Sequence, residues 1–436
     1  MAAHTLPAGS AVQPLTPEEA RAEILAAGER QPPGWLLPLF GMLAIVGFGW
    51  FAVRVASGDD PHPWRIYLQN LMLFTGIAQG AVMYTVAMTV AKAKWGRPVR
   101  RLAESFVLFL PVAFLLSLPL YGVMDQLWPW VEHPVEAKQA YLNPGFFTIR
   151  GVVGMLLLFG LSLCFVYHSL RPEVGRLRDS VQGRRRDVYD RLSAGWRGDV
   201  EEAERSDARR TLLAPILALV FAVTYSLLAW DYLMSLDPHW YSTLFGAWIF
   251  MSAFLSGIAA TGILVAWVPR WLGLERYWTP SHRHDQGKMT FAFATFWAYL
   301  TWSQFIVIWY GKLAEDWPYL LHRGQHYPAV VIAMLLLVWF IPWVGLMGIA
   351  PKRNPVTLSL FSGILLLGLW VKLWLLIVPS VSPETRSMLG LDELLVTLGF
   401  AGLFALTTTL FLRTFPVLDT RDAHLIVPYR PIQPHP

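Results

Sequence analysis

Ten long apolar runs cover most of this 436-residue sequence and limit the folds that it can adopt. Each has about 20 residues or more, the length at which a helix crosses the hydrocarbon core of a bilayer. Polar and apolar residues do not alternate within them, so the runs predict helices and disfavour a transmembrane barrel. They lie at approximately 35–56, 64–91, 100–124, 146–170, 211–235, 241–268, 286–312, 327–350, 356–378 and 391–414.

The composition agrees with a chain that lies mostly in a membrane. Hydrophobic residues make up 55% of the sequence and charged residues 15%, and the mean hydropathy is +0.43, whereas a soluble domain has about 25% charged residues. We therefore predict an all-α integral membrane protein whose membrane domain covers residues 35–415. The flanking segments are 1–34 and 416–436. The first run is too long for the apolar part of a signal peptide, so we expect no cleaved leader.

Lys and Arg residues are concentrated in alternate connections. The second connection contains Lys92, Lys94 and Arg97, and eleven Arg residues lie between Arg171 and Arg210 in the fourth. The odd-numbered connections contain few cations. Because cytoplasmic loops are enriched in Lys and Arg, we expect these connections and both termini in the cytoplasm. The net charge of +5 then favours anionic membrane lipid as a partner and requires no nucleic acid.

Only the connection at 171–210 is long. Its helix-permissive stretches carry charges of both signs. A charged surface linker is the simpler interpretation, and a basic cytoplasmic helical hairpin or docking surface is the alternative.

Several kinds of cofactor chemistry have little support in the sequence. A single cysteine, Cys164, excludes an intrachain disulfide, a cysteine-bound iron–sulfur cluster and a CxxCH haem attachment. His168 is the only histidine well inside an apolar run, so two facing haem ligands are not expected. His322 and His326 are four residues apart but lack an accompanying carboxylate motif. Phosphate-binding and dinucleotide-binding glycine motifs are also missing. We predict no cofactor bound by this chain alone and no metal site.

Two carboxylates interrupt the apolar stretch "LLAWDYLMSLDPHWYSTLFGAW" (227–248). Asp231 shares a helix face with Thr224 and Ser235, because these residues are spaced seven and four apart. A buried ionisable group is costly in lipid and usually faces a protein interior or a cavity. A functional role and a structural ion pair are equally good interpretations of Asp231. Asp237 precedes Pro238 and is predicted to cap the sixth span.

A second group of polar residues lies toward the same side of the membrane. Asp125 follows Ser117 and Tyr121 at intervals of four residues, and Lys372 lies in the ninth run. Lys372 could form an ion pair with Asp231 or Asp125, or its side chain could extend to the membrane surface.

Toward the predicted cytoplasmic side, Glu104 begins the third run and His168 ends the fourth. In the seventh run Thr295, Tyr299 and Ser303 recur every four residues. Hydroxyls and carboxylates at such spacing suit a proton path, although hydroxyls also form purely structural hydrogen bonds between helices.

Two long blocks of the sequence resemble one family. The stretches "WDYLMSLDPHWYSTLFGAW" and "HDQGKMTFAFATFWAYLTWSQFIVIWYG" are similar to the ActF subunits of bacterial alternative complex III, within the NrfD or polysulfide-reductase membrane-subunit superfamily. The resemblance implies ten transmembrane helices, with spans 2–5 and 6–9 as two four-helix bundles and spans 1 and 10 outside them. It also implies a place in a quinol:acceptor oxidoreductase of the bacterial inner membrane.

The same resemblance implies a set of partners. Quinol, as menaquinone or ubiquinone, would be oxidised mainly by an ActC-like subunit, with an iron–sulfur subunit and haem c subunits carrying electrons to a cytochrome c or a terminal oxidase. This chain would contribute scaffolding and proton conduction. The candidate proton-path residues are Asp231, Asp125, Glu104, His168, Thr224, Ser235, Thr295, Tyr299, Ser303 and Lys372.

Two other functions remain open from the sequence. The chain could itself bind and oxidise quinol, with Asp231, His239 and Trp240 around the ring. It could also be a stand-alone proton-coupled secondary transporter, although the prolines inside its spans do not fall at matching positions of two halves.

Overall fold

A computed structural model describes residues 22–24, 26, 34–58, 60–314, 316–382 and 385–419. Most of the predicted segments 1–34 and 416–436 therefore lies outside the described residues. Ten helical segments in the described part are long and apolar enough to cross a membrane. Numbered as spans 1 to 10, they are Leu36–Ala56, His62–Val90, Lys94–Gly122, Pro144–Ser180, Asp199–Leu236, Phe245–Leu272, Pro280–Gly311, Pro328–Gly345, Pro355–Val381 and Leu391–Thr414.

The ten spans agree with the ten apolar runs, and the prediction of an all-α, multi-pass membrane protein is confirmed. No β-strand occurs among the residues that the structure describes. Short α-helices lie in the connections. They are Met124–Leu127, Arg184–Leu192, Trp317–His326 and Ile349–Arg353.

Consecutive spans run in opposite directions, so the connections fall at two ends of the molecule. We call the end with the arginine-rich connection between spans 4 and 5 the basic end, and the other the opposite end. Spans 2 to 5 pack with one another, as do spans 6 to 9. Span 1 packs mainly against span 10, and this pair contacts spans 2 and 3. This packing agrees with two four-helix bundles and two peripheral spans.

The two bundles meet chiefly where span 2 contacts span 6. Small residues allow the two backbones to approach closely. A methyl group added at Gly80 would overlap the backbone of Ala253, and one added at Gly257 would lie 2.1 Å from the backbone nitrogen of Ala81. Close approach of this kind is how small residues join helices in lipid, where the hydrophobic effect does not drive association.

Span 3 is the least regular of the ten helices. One turn of 3₁₀ helix interrupts it at Ser105–Leu108, and another ends it at Leu118–Gly122. Pro119 lies in the second turn and lacks a backbone N–H for the helix ladder. Span 3 therefore ends before Asp125, which lies in the next short helix.

The turn between spans 5 and 6 differs from its prediction. Pro238 does not begin a helix, because span 6 starts only at Phe245 and its N-terminus has no side-chain cap. Asp237 instead follows a 3₁₀ turn at Met234–Leu236. The prediction that Asp237 caps span 6 was wrong, because the chain stays irregular for a full loop after the aspartate.

Segment 171–210 is mostly helical. The helix of span 4 continues to Leu177 and that of span 5 begins at Asp199, with Arg184–Leu192 between them. Tyr189 donates a hydrogen bond to the carbonyl of Thr414 at the end of span 10. The segment is thus a set of helical extensions that contact the membrane domain.

The contact between spans 2 and 6 predicts opposite effects for two glycine-to-alanine changes. Gly257→Ala should lower the free energy of unfolding by about 1–3 kcal/mol, the cost of overpacking, because backbone atoms cannot yield to the new methyl group. Gly363→Ala in span 9 meets no atom within 4 Å and should leave stability unchanged or slightly higher, since alanine favours helix. Thermal unfolding in detergent measures the stability of both variants. Equal changes in the two would contradict the close approach of spans 2 and 6.

Candidate functional site

Lys372 of span 9 lies at the interface of the two bundles. Its side chain is 1% exposed. The ammonium donates a hydrogen bond to the hydroxyl of Ser252 and lies 3.8 Å from the ring centre of Trp248. Ser252 also accepts a hydrogen bond from the indole N–H of Trp297 at 2.9 Å. No carboxylate pairs with Lys372 in the part of the chain that the structure describes.

A small cavity adjoins Lys372. It measures about 30 Å³, and its lining includes Ser252, Ser256 and Tyr225. A second cavity of about 20 Å³ shares Tyr225 and Met72 with the first. Each has room for about one water molecule. Together they connect Lys372 of span 9 with residues of spans 2, 6 and 5, and their mostly apolar linings carry a few hydroxyl groups.

The second cavity leads toward the opposite end of the molecule. Its lining includes Thr75, Ser117 and Tyr232, and the hydroxyls of Tyr232 and Tyr121 are 2.5 Å apart. Gly151 makes room for both hydroxyls, because a side chain there would overlap them. Hydroxyl groups thus continue from the cavities to the end of span 3. They form a series of groups that can each accept and donate a proton.

Asp231 forms a buried ion pair with Arg150 of span 4. Two guanidinium nitrogens, Nε and Nη2, lie 3.0 and 2.8 Å from the two carboxylate oxygens. The guanidinium also lies 3.8 Å from the ring centre of Tyr141 and donates to its carbonyl. This bidentate geometry is the strong form of an arginine–carboxylate contact. The sequence left a functional role and a structural ion pair open for Asp231, and these contacts are those of a structural ion pair.

Both predicted explanations of Lys372 were wrong. Asp231 is already paired with Arg150, and Asp125 is exposed in the short helix Met124–Leu127. The side chain does not extend to the membrane surface either, because Ser252 and Trp248 hold it in the interior. The sequence analysis did not identify Arg150 as a partner of Asp231, although Arg150 is the cation of span 4 that lies nearest the opposite end of the molecule.

The other residues on the predicted face of span 5 have local contacts. The hydroxyl of Ser235 donates to the backbone carbonyl of Asp231. Thr224 is buried with its methyl group against Gly154. Neither hydroxyl lies in the two cavities described above.

The predicted polar series of span 7 faces outward. Thr295 and Tyr299 are exposed, Tyr299 by 62%, and Ser303 is partly exposed. They share this face with Trp302, Trp309 and Tyr310, which are also exposed. These three hydroxyls therefore do not line the interior of this chain, and their role in a proton path stays a prediction. The spacing of four residues correctly predicted that the three hydroxyls share one face of span 7. It did not predict that this face points away from the protein interior.

Glu104 and His168 lie near the basic end but belong to different environments. Glu104 is buried and forms an ion pair with Arg101 at 2.6 Å, and Arg101 also donates to the carbonyl of Ser169. His168 is buried at the edge of a separate basic pocket. The structure does not bring either residue to Lys372.

The residues proposed for quinol binding do not converge. Asp231 is occupied by Arg150, and His239 is exposed. Trp240 is buried, with its ring stacked on Tyr319 at 3.9 Å between ring centres. A planar ring would have to displace one of these contacts to meet all three residues.

A larger cavity lies at the opposite end, between spans 1, 2 and 10. It measures about 590 Å³. A buried pair, His62 and Glu393, lines it with 2.9 Å between Nε2 and Oε1. The other ring nitrogen of His62, Nδ1, has no hydrogen-bond partner among the residues that the structure describes. Sequence reasoning missed this pair, because the two residues lie 331 positions apart, in the first turns of two different helices.

Charged side chains surround this cavity. Asp392 accepts hydrogen bonds from Trp50 and Arg54, and Asp60 accepts two from Arg386. Burial opposes the charge of Asp60, but the backbone N–H of His62 and the guanidinium of Arg386 outweigh it and lower the pKa of Asp60. Asp60 is therefore ionised at neutral pH.

Comparison with known proteins gave no assignment: neither a protein-family model nor a curated protein matches the sequence.

The buried pair at Asp231 predicts a large loss of stability on removal of one charge. Asp231→Asn should lower the free energy of unfolding by about 3–5 kcal/mol, because Arg150 then keeps a buried, uncompensated charge. The double change Asp231→Leu with Arg150→Met should recover much of that loss.

The matched control for this prediction is Glu275→Gln, which removes one partner of an exposed ion pair with Arg270. Such pairs contribute little, so unfolding should be nearly unchanged. If Asp231→Asn is as stable as Glu275→Gln in a denaturant titration, the structural interpretation of Asp231 fails.

Proposed function

We propose that this chain is a proton-conducting membrane subunit of a quinol:acceptor oxidoreductase of the alternative complex III type. The basic end would face the cytoplasm of a bacterial cell, in accordance with its excess of Lys and Arg. Quinol oxidation and electron transfer would involve partner subunits with iron–sulfur clusters and haem c, and a cytochrome c or terminal oxidase would accept the electrons.

The single observation that carries the proposal is the placement of Lys372. A lysine buried between two bundles, bound to a serine and an indole face and to no carboxylate among the described residues, has a charged form that costs free energy. Such residues in membrane helices are expected to have a function. Asp231 has a structural ion pair that explains its burial, whereas Lys372 has no such pair among the described residues.

The surroundings of Lys372 support proton transfer toward the opposite end. Two cavities and the hydroxyls of Tyr225, Tyr232 and Tyr121 supply intermediate groups. Because the cavity beside Lys372 is lined by spans 6 and 9 of one bundle and by spans 2 and 5 of the other, a small shift between bundles would change the space around its ammonium group. Such a shift could couple its protonation to events elsewhere in a complex.

The exposed face of span 7 supports a partner within the membrane. Tyr299 and Ser303 bring hydroxyl groups to a surface that is rich in aromatic and aliphatic residues. A phenol hydroxyl gains from a hydrogen-bond partner that lipid tails cannot offer. A second membrane subunit, such as an ActC-like chain, would supply one.

Proton release by the assembled complex tests the role of Lys372. In sealed membrane vesicles, Lys372→Met should lower the number of protons released per electron transferred, because the ammonium is lost. Lys288→Met is the matched control, since Lys288 is exposed and forms an ion pair with Asp285; its proton release should stay at the wild-type value.

Tyr225→Phe provides an independent variant that keeps the packing of the core. Removal of its hydroxyl from both cavities should slow proton transfer severalfold. Unchanged proton release in both Lys372→Met and Tyr225→Phe would contradict the proposed path. Purification of the chain from native membranes as a lone oligomer, without redox subunits, would contradict the complex itself.

A second candidate function is quinol binding at the cavity beside His62 and Glu393. Its volume of about 590 Å³ is within the usual range for small-molecule sites. The Nδ1 of His62, which has no partner in the described part of the chain, and the carboxylate of Glu393 could each accept a hydroxyl proton of a quinol, while its two electrons leave to a partner subunit. This site replaces Asp231, His239 and Trp240 as the place where quinol would bind.

Quinone binding distinguishes the two candidates. A photoreactive quinone should label residues of spans 1, 2 and 10, and Glu393→Gln should reduce labelling at least tenfold. His239→Ala should leave it unchanged, because His239 is exposed and remote from this cavity. Labelling near residues 231–240 instead would overturn this assignment.

A further inference from the structure

We infer that the basic pocket between spans 4 and 5 binds the phosphate headgroup of an anionic phospholipid, with an acyl chain against the exposed apolar face of span 5. The pocket measures about 300 Å³. Its charged lining consists of four arginines and one glutamate. They are Arg171, Arg197, Arg205, Arg209 and Glu202.

Two of these arginines are already occupied, and two are available. Arg171 forms a bidentate pair with Glu202 and donates to Tyr167 and to backbone carbonyls. Arg197 pairs with Glu201 at 3.1 Å. Arg205 and Arg209 form no hydrogen bond or ion pair within the described residues. The pocket therefore has an excess of positive charge that the protein itself does not neutralise.

A buried histidine supplies a further polar atom. His168 lines the pocket and is 7% exposed, and its Nδ1 has no hydrogen-bond partner in the described chain. A buried nitrogen without a partner is rare in proteins and usually requires an explanation. A phosphate oxygen held by Arg205 and Arg209 would provide that partner if Nδ1 carries the proton.

The depth of the pocket favours a lipid over a soluble anion. Helix length at 1.5 Å per residue puts His168 about 36 Å from the start of span 4 at Pro144. It puts Arg209 about 35 Å from Tyr232, the last residue of the span 5 α-helix. The hydrocarbon core is about 30 Å thick, and headgroups extend the bilayer to about 40–45 Å. The guanidinium groups therefore lie at the level of lipid phosphates.

The free arginines lie directly above an apolar stripe. Their spacing of three and four residues continues along the same helix face. The stripe is formed by Leu212, Ile216, Leu219 and Val223, all of which are exposed. On span 4, Cys164 is exposed one turn from His168, and Gly160 leaves open space around it. A headgroup at the pocket would thus have its acyl chain in a shallow groove between the two spans.

The native cysteine allows a direct test, since Cys164 is the only cysteine of the chain. The full-length protein, labelled at Cys164 with a fluorophore, is incorporated into phosphatidylcholine bilayers. Brominated phosphatidylglycerol, whose bromines quench fluorescence on contact, is then titrated in and compared with brominated phosphatidylcholine. We expect half-maximal quenching at a several-fold lower mole fraction of the anionic lipid.

Charge variants identify the residues responsible. Arg205→Gln with Arg209→Gln should weaken binding of phosphatidylglycerol by roughly thirtyfold, as expected for two cations near a membrane surface. The matched control is Arg184→Gln with Arg191→Gln, which removes the same charge from exposed positions of the helix Arg184–Leu192. Equal weakening in both double variants would overturn the site in favour of general attraction to a charged surface.

Two further arms separate the possible ligands. Ile216→Trp fills the groove without a change in charge and should reduce quenching by phosphatidylglycerol, whereas a soluble anion would not be affected. Millimolar inorganic phosphate should not displace the lipid. Displacement by phosphate, with no effect of Ile216→Trp, would show a site for a soluble anion and overturn the lipid assignment. If the arginine variant does not fold, the Ile216→Trp and phosphate measurements still decide between these outcomes.

Discussion

The backbone contact between spans 2 and 6 is the interaction on which the rest of the structure depends. In lipid, apolar side chains gain little from one another that the solvent does not also provide, so close packing must hold helices together. Gly80 and Gly257 bring the two backbones together, and each helix begins one of the two bundles. The cavities, Lys372 and its hydroxyl neighbours all lie around this junction. A wider separation would admit lipid or water and remove the enclosed environment of the lysine.

The sequence was sufficient for the fold class and for the ten spans, because the cost of unpaired backbone groups in lipid allows few alternatives to a helix. It was much less informative about the direction in which each face points. In soluble proteins polar residues indicate the outer face, but span 7 has hydroxyl and aromatic residues on its exposed face, and its buried residues include both Thr290 and Trp297. The sequence showed which residues of span 7 share a face. The rotation of the helix about its own axis, which decides where that face points, depends on the helices that surround it.

Ion pairs could not be assigned from the sequence for a related reason. Asp231 and Arg150 belong to neighbouring antiparallel spans and lie 81 residues apart, and His62 and Glu393 belong to the second and last spans. Periodicity along one helix carries no information about a partner on another. The stripe of Thr224, Asp231 and Ser235 was a correct description of span 5, yet the residue that explains it lies on span 4. For Lys372 the sequence suggested an ion pair with Asp231 or Asp125, but the packing of the helices brings neither carboxylate to it.

The pairing of the first span with the last has a consequence for biosynthesis. Asp392 accepts hydrogen bonds from Trp50 and Arg54, which precede it by 342 and 338 residues. Translation at about 5–20 residues per second separates these partners by roughly 17–70 s. During that time span 1 must remain in the bilayer without Asp392, and Asp60, 3.8 Å from Arg54 in the folded protein, is the carboxylate already synthesised. The strongly apolar sequence of span 1 and the position of Arg54 in its last turn suit a helix that can stay in the bilayer without its partner, so the pair of spans 1 and 10 forms only after span 10 has been synthesised.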